Sequence, residues 1–403
     1  MPDTQSAGKP PLDGLIVLDF SHALAGPYCT MLMAQYGARV YKIESPDGDL
    51  ARTWGPPFVE TATGEHAAFF LGLNPGKQSV VIDLKRPEGV ALCLDLIERA
   101  DVLIENMRPG TMKRLGLGYE AARARNPRLV YCSISGYGQD GPRRDDPALD
   151  LVLQASSGLI SMTGVSKDSE RVRCGHSVAD ITAGMFGLTG ILLALRSREQ
   201  TGAGQFVDVS MYDGMLSAMA SNFANLMGSG RPPEPMGTAF PTIVPYRGFR
   251  ASDREVVIAV ATDKLWAAFC PAIDKPEWKS HPDYATNRLR VKNRATLEPA
   301  IAEIFRTKTA SEWEACMGAA GIPCSAVREL DEVAADPHTA VRGMLENVDG
   351  FTVTGLPVKL AGSQRVAERH AAPSLGQHTQ AALVDLLGLD DAAIRAMKAG
   401  GTI

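Results

Sequence analysis

One carboxylate heads a long apolar run. In "RCGHSVADITAGMFGLTGILLAL" (173–195), Asp180 is followed by fifteen residues without a charge. Two roles suit an acid in that setting. As a helix cap, its side chain accepts hydrogen bonds from the first free amides. As a reacting group, it lies in the positive field at a helix start, which keeps a carboxylate ionised. Ala179, Ala183, Gly184 and Gly187 are small enough to let a large ligand come close. A carboxylate held there could attack a carbonyl. The residues alone leave both roles open.

Other candidate chemistries fail on spacing. "GLNPGKQ" (72–78) resembles a phosphate-binding loop, but it has three residues between its glycines and Gln78 where a magnesium-holding Ser or Thr belongs. "LGLGYE" (115–120) lacks the third glycine of a dinucleotide fingerprint. Neither HExxH nor GxSxG nor paired-cysteine spacing occurs. Cys174 and His176 would need further ligands that the sequence does not supply, and they read as loop residues. No metal is expected.

The elements that must position Asp180 alternate in period. "LIVLDF" (15–20), "ARVYKIE" (38–44), "QSVVIDL" (78–84), "DVLIENM" (101–107) and "LVYCSIS" (129–135) are short, β-branched apolar runs typical of buried strands. Helical patterns separate most of them, with Pro27 and Pro87 placed for first turns. This alternation predicts an α/β fold with a mainly parallel sheet and a ligand crevice at the carboxyl ends of its strands. Met211 to Gly230 reads as one helix, and "SGRPPEPMG" (229–237) as a linker, which puts a boundary near residue 225. Beyond it, "EVVIAV", "TDKLWAAFCPAI" and a Lys/Arg-bearing helical stretch predict a smaller α+β unit. Asp349 and Gly350 mark a hairpin within "MLENVDGFTVTGLPVKL".

Composition narrows the class. The chain has 403 residues, 45% of them hydrophobic and 22% charged, enough for a large core in two or three units. A formal net charge of -5 gives no footprint for nucleic acid. Seven cysteines, scattered singly, fit reduced thiols in the cytoplasm. The polar, Pro/Gly-rich start "MPDTQSAGKPPLDG" has no apolar signal core, and the run Ile181 to Leu195 is short for a membrane span. A cytoplasmic protein off the membrane is expected.

Ordered segments along nearly the whole chain then carry a resemblance. "LDFSHALAGP", "GARVYKIE", "GDLARTWGPP", "VVIDLKRPEG", "VLIENMRPGTMKRLGLGYE", "YCSISGYGQDGP", "SSGLISMTG", "ADITAGMFG", "TGAGQFVDVSMYDG" and "GIPCSAVREL" resemble, in this order, the class III CoA-transferases, the formyl-CoA transferase and carnitine CoA-transferase family. The resemblance implies that Asp180 is the nucleophile. It attacks an acyl-CoA thioester to give an aspartyl anhydride, an aspartyl-CoA thioester follows, and CoA finally passes to the new acid. Such intermediates survive only where water is excluded.

Coenzyme A is implied as part of the substrate. The family's CoA-contacting positions fall on Leu24 and Ala25, on Ile82, Asp83, Leu84 and Lys85, on Asn106, Met107 and Arg108, on Arg114, and on Pro147, Ala148, Leu149 and Asp150. Lys85, Arg108 and Arg114 suit phosphate; each taken singly reads more readily as a solvated charge, and their placement after successive strands raises the phosphate reading. The chain departs from formyl-CoA transferase at Leu24, at Ser45 and in lacking its glycine-run loop, which points away from formate and oxalate. The α-methylacyl-CoA racemases of a neighbouring branch carry Gly-His-Asp where this chain has Ala148, Leu149 and Asp150, so two-base proton exchange lacks a partner.

"ARTWGPPFV", "GTAFPTIVPYRGFRASD" and "SLGQHT" are most similar to the branch moving CoA between succinyl-CoA and glutarate or hydroxymethylglutarate. A dicarboxylic acid is therefore expected, with Arg52 and Arg247 as candidates for its distal carboxylate and His22 for the substrate site. The resemblance further implies a Rossmann-like large domain (1–224, completed by 326–403), a small domain (225–325), and a homodimer of two interlocked rings. A non-catalytic CoA-binding protein and an acyl-CoA isomerase of the same fold are the alternatives.

Overall fold

A computed structural model describes residues 8–61, 64–362, 366 and 370–403. The expected strands form. Six parallel strands run in the order Gln78–Val81, Arg39–Glu44, Ile16–Asp19, Val102–Glu105, Val130–Ser135, Phe206–Ser210. Val102–Glu105 and Val130–Ser135 are buried throughout, as parallel strands covered on both faces must be. Chain order reverses direction across the sheet between Ile16–Asp19 and Val102–Glu105, which pair in register Leu18 to Leu103. Loops leaving two such strands diverge, and the crevice between them is where open α/β sheets take ligands.

The chain forms two compact units: 1–157, 174–223 and 337–403 in the first; 158–173 and 224–336 in the second. The first holds the six-stranded sheet, and one of its cores joins Leu18, Tyr41, Leu92, Leu96, Leu103 and Tyr131 to Leu383 of the returning C-terminal segment. The second holds an antiparallel sheet of Cys324–Ala326, Glu255–Ala259 and Tyr246–Arg250. Its core stacks Phe305 on Trp313 and places Trp266 beside Phe269.

The expected hairpin is Leu345–Val348 with Phe351–Thr354, turned by Asp349 and Gly350 at φ 48° and 89°. Met211 to Gly230 is not one helix. It breaks at Met219 into Met211–Ala218 and Ala220–Ser229, because Met219 leaves helical geometry at ψ 20°.

The apolar run after Asp180 lies inside a longer helix, Val178–Thr201, ended by Gly202 at φ 74°. At 24 residues the whole helix is long and apolar enough to cross a membrane by length and composition. Its small residues turn out to serve packing instead of ligand approach. A Cβ on Gly184 would meet the Ala25 carbonyl oxygen at 2.7 Å, so glycine lets this helix lie against Ala25–Gln35. Ala179 and Ala183 are fully buried. Met185, Phe186, Leu192 and Leu193 remain exposed on the same helix.

Candidate active site

A cavity of about 610 Å³ opens at the strand-order reversal, within the size range of small-molecule sites. Its walls come from His22, Ala23 and Leu24 after the first strand, from Asn106 to Pro109 after Val102–Glu105, and from Ile134, Ser135 and Gly136 at the end of the next strand. Pro147, Ala148 and Leu149 close another side, Trp54 and Phe69 pack at 5.3 Å to form an aromatic wall, and Asp180 projects into it.

Asp180 is the third residue of its helix. Ser177 occupies the cap position, and among the described residues no hydrogen bond or ion pair engages the Asp180 carboxylate. The cap role is thereby set aside. The expectation of a firmly ionised group is corrected as well: burial, reinforced by the negative charge of Asp150, pushes Asp180 up to about 7. The helix-start field does not overcome those two effects.

Asp150 sits at 8% exposure and faces inward. Its Oδ1 accepts the Ala179 N–H at 2.9 Å and its Oδ2 accepts Gln154 Nε2 at 2.7 Å. Gln154 Oε1 in turn accepts the Cys174 N–H at 2.9 Å. Two side chains thus fix the segment that delivers Asp180. Leu149, beside Asp150, is 72% exposed and presents an apolar side chain to the cavity. The cavity wall therefore offers no base there.

The loop after the first strand is held on every side. Asn106 pairs with the His22 backbone twice, accepting its N–H and donating to its carbonyl, both at 2.8 Å. Asp49 Oδ1 accepts the Ala23 N–H at 3.1 Å, where Ala23 has φ 63°, unusual for a residue with a Cβ. Lys42 Nζ donates to the Ser21 carbonyl at 2.8 Å and pairs with Asp49 at 2.8 Å. Lys77 pairs with Asp19 at 3.1 Å. Burial opposes ionisation of Asp19 and Asp49. Lys77 and Lys42 nevertheless hold Asp19 down to about 2, and His22 and Lys42 hold Asp49 well below the usual carboxylate range. His22 Nδ1 lies 3.8 Å from Asp49. Glu105, raised by burial to about 7, accepts the Met107 N–H at 2.8 Å and steadies the opposite loop.

The expected site residues divide accordingly. Leu24, Asn106, Met107, Arg108, Pro147, Ala148, Leu149, His22 and Asp180 share the cavity. Ala25 is buried at the start of its helix. Ile82 is core, the Asp83 carboxylate accepts the Lys85 N–H at 2.9 Å, and Leu84 packs on that core. Arg114 is exposed and donates to Thr111 at 2.9 Å.

Arg52 is not available to a substrate. Its guanidinium is engaged by Glu44 through two bonds of 2.8 Å and by the Pro373 carbonyl at 3.0 Å, over the Phe70 ring. Arg247, in the second unit, pairs with Glu298 at 2.6 Å. Sequence reading missed Trp54, Phe69, Asp49 and Arg144. Only Arg144 carried a signal, the charge run "RRDD" (143–146) between Pro142 and Pro147.

A parallel α/β sheet with an unpaired carboxyl at its switch-point cavity defines an enzyme-like binding site. The family model of CoA-transferase family III matches residues 12–379, and the chain belongs to that family; it is a CoA-transferase. It is 38% identical to an acetyl-CoA:oxalate CoA-transferase of Acetobacter aceti over 93% of this chain and 95% of that one. It is 36% identical to a succinate–glutarate CoA-transferase of Agrobacterium fabrum, over 94% and 96%. A crystal structure of a CAIB/BAIF family protein from Brucella suis superimposes with TM-score 0.85 at 34% identity, covering 94% of this chain and all of that one.

Proposed function

We propose that this enzyme transfers CoA between acyl-CoA thioesters and dicarboxylic acids, with succinyl-CoA as donor and Asp180 as the covalent nucleophile. The observation that carries this reading is the unpaired Asp180 carboxyl in a half-enclosed apolar cavity. An ionised Asp180 oxygen attacks the thioester carbonyl and expels CoA thiolate, leaving a mixed anhydride. The thiolate attacks the aspartyl carbonyl, releases the donor acid and forms an aspartyl-CoA thioester. The acceptor carboxylate reverses this sequence: it displaces CoA thiolate to form a second anhydride, and the thiolate attacks the acceptor's carbonyl and frees Asp180. Atoms balance without water, and the Trp54, Phe69 and Leu149 side chains fit the need to exclude it.

Dicarboxylates are favoured because the relatives' names pair CoA with oxalate, glutarate and, in Haloarcula marismortui at 38% identity, mesaconate. Leu149 argues against racemase chemistry. We read the first unit as the large CoA-binding domain and the second as the small domain, in an interlocked homodimer whose contacts include the exposed Met185, Phe186 and Leu193. Seven free thiols fit a cytoplasmic enzyme.

Incubation with succinyl-CoA and a panel of glutarate, hydroxymethylglutarate, mesaconate and oxalate, read by mass spectrometry, should yield the new thioester of at least one acid. Hydroxylamine added during turnover should modify Asp180. Exchange that proceeds with an unmodified Asp180 would sink the nucleophile. A folded monomer at nanomolar concentration in sedimentation would sink the interlocked dimer.

A further inference from the structure

We infer that Arg144, outside the set of residues expected from the sequence, grips the phosphate-bearing end of CoA; this rests on the reading of the cavity as a CoA site. Arg144 lines the cavity that holds Asp180, and its Nε is buried with no hydrogen-bond partner. Its guanidinium converges with a second. A Cβ placed on Gly110 would find Arg144 Nη2 at 3.5 Å and Arg114 Nη1 at 3.6 Å, so both side chains hang over one glycine. Arg108 adds a third cation on the same wall.

The carboxylate that lines the cavity beside this cluster is engaged elsewhere. Asp146 lines the cavity, but it pairs with Arg143 at 2.9 Å, and Arg143 additionally donates to the Tyr137 hydroxyl at 2.6 Å and stacks on that ring. Among the described residues no carboxylate pairs with Arg108, Arg114 or Arg144; Arg114 holds only the neutral Thr111 hydroxyl. The partly buried Arg144 guanidinium has no counter-charge, an unfavourable arrangement that a multiply charged anion relieves. Planar guanidinium forks match phosphate oxygens two at a time. Two converging cations, with Arg108 also lining the cavity, suit the several phosphate charges of CoA better than the single distal carboxylate of an acid. Arg144 is therefore a binding residue that makes the protein select the full nucleotide thiol over its pantetheine arm.

Calorimetric titration of the full-length protein and of Arg144→Ala and Arg144→Lys, each with CoA and with pantetheine, tests this. Arg144→Ala should weaken CoA at least about tenfold, as the loss of a charge-assisted bond does, and leave pantetheine binding within about twofold. Arg144→Lys should recover part of the loss, since it keeps the charge without the fork. Unchanged CoA affinity in Arg144→Ala overturns the assignment, and so does an equal loss for both ligands, which marks a structural role. An Arg144→Ala enzyme that binds CoA normally but has a raised KM for the acid assigns the guanidinium to the carboxylate and also overturns it. Wild-type protein that binds no CoA takes down the functional reading itself, a result distinct from any of these.

Discussion

Asp49 and Asp180 are both withdrawn from water in the first unit, yet they lie on opposite sides of the ordinary carboxylate range. Asp49 meets Lys42, His22 and two backbone amides, and its charge is stabilised in place. Asp180 meets no donor and has Asp150 as its charged neighbour. Burial costs the same kind of free energy in both cases, and partners decide whether the charged form survives it. A carboxylate whose charge is matched by cations and amides can hold a strained turn such as Ala23. One that is left without partners remains reactive. The paired region builds the wall, and the unpaired residue is the one proposed to do the chemistry.

The comparison breaks most visibly at the unpaired residue. Asp180→Ala should lower CoA exchange by at least about 10³-fold, measured by mass spectrometry of the acyl-CoA products, with an unchanged circular dichroism spectrum. At the paired residue the loss should fall on stability instead: Asp49→Ala leaves Lys42 without its close partner, and denaturant unfolding should show a loss of about 3 to 5 kcal/mol. Equal stability would mean that Asp49 is not the anchor described.

The pH dependence sharpens the same contrast. Exchange by the wild type should rise with pH through about 7 as Asp180 ionises. Asp150→Asn keeps an acceptor for the Ala179 N–H but removes the like charge, so the acid limb of kcat/KM should move to lower pH. A limb that stays in place would remove Asp150 as a cause.

The smallest effect is thermal. Folded Asp180 keeps its proton up to about pH 7, whereas an unfolded aspartate loses it near about 3.9, so between these values the folded state binds more protons and its stability falls as pH rises. Asp180→Asn should therefore melt higher than the wild type at pH 8, by about 2 to 4 °C per kcal/mol relieved, and at the same temperature as the wild type at pH 4. A gain at both pH values would point to packing instead of charge.

Much of the frame could be read along the chain. The strands from "LIVLDF" to "LVYCSIS", the hairpin at Asp349 and Gly350 and the position of Asp180 at a helix start all follow from local patterns, because period, turn residues and caps act over a few neighbours. The family also followed, from many short segments in a fixed order. Other features did not. Arg52 looked like a free cation until Glu44 engaged it, and Met211–Gly230 looked like one helix until it broke at Met219.

The amino-acid order by itself determined the class of fold, the family and the acid at position 180. Tertiary structure decided which charges are satisfied: that Asp49 and Arg52 are bonded, that Asp180 and Arg144 are left facing a cavity, and that Gly184 admits a helix instead of a ligand. The reason is physical. Propensity and pattern are properties of neighbours in sequence, whereas desolvation and pairing depend on groups from distant segments that only folding brings within reach.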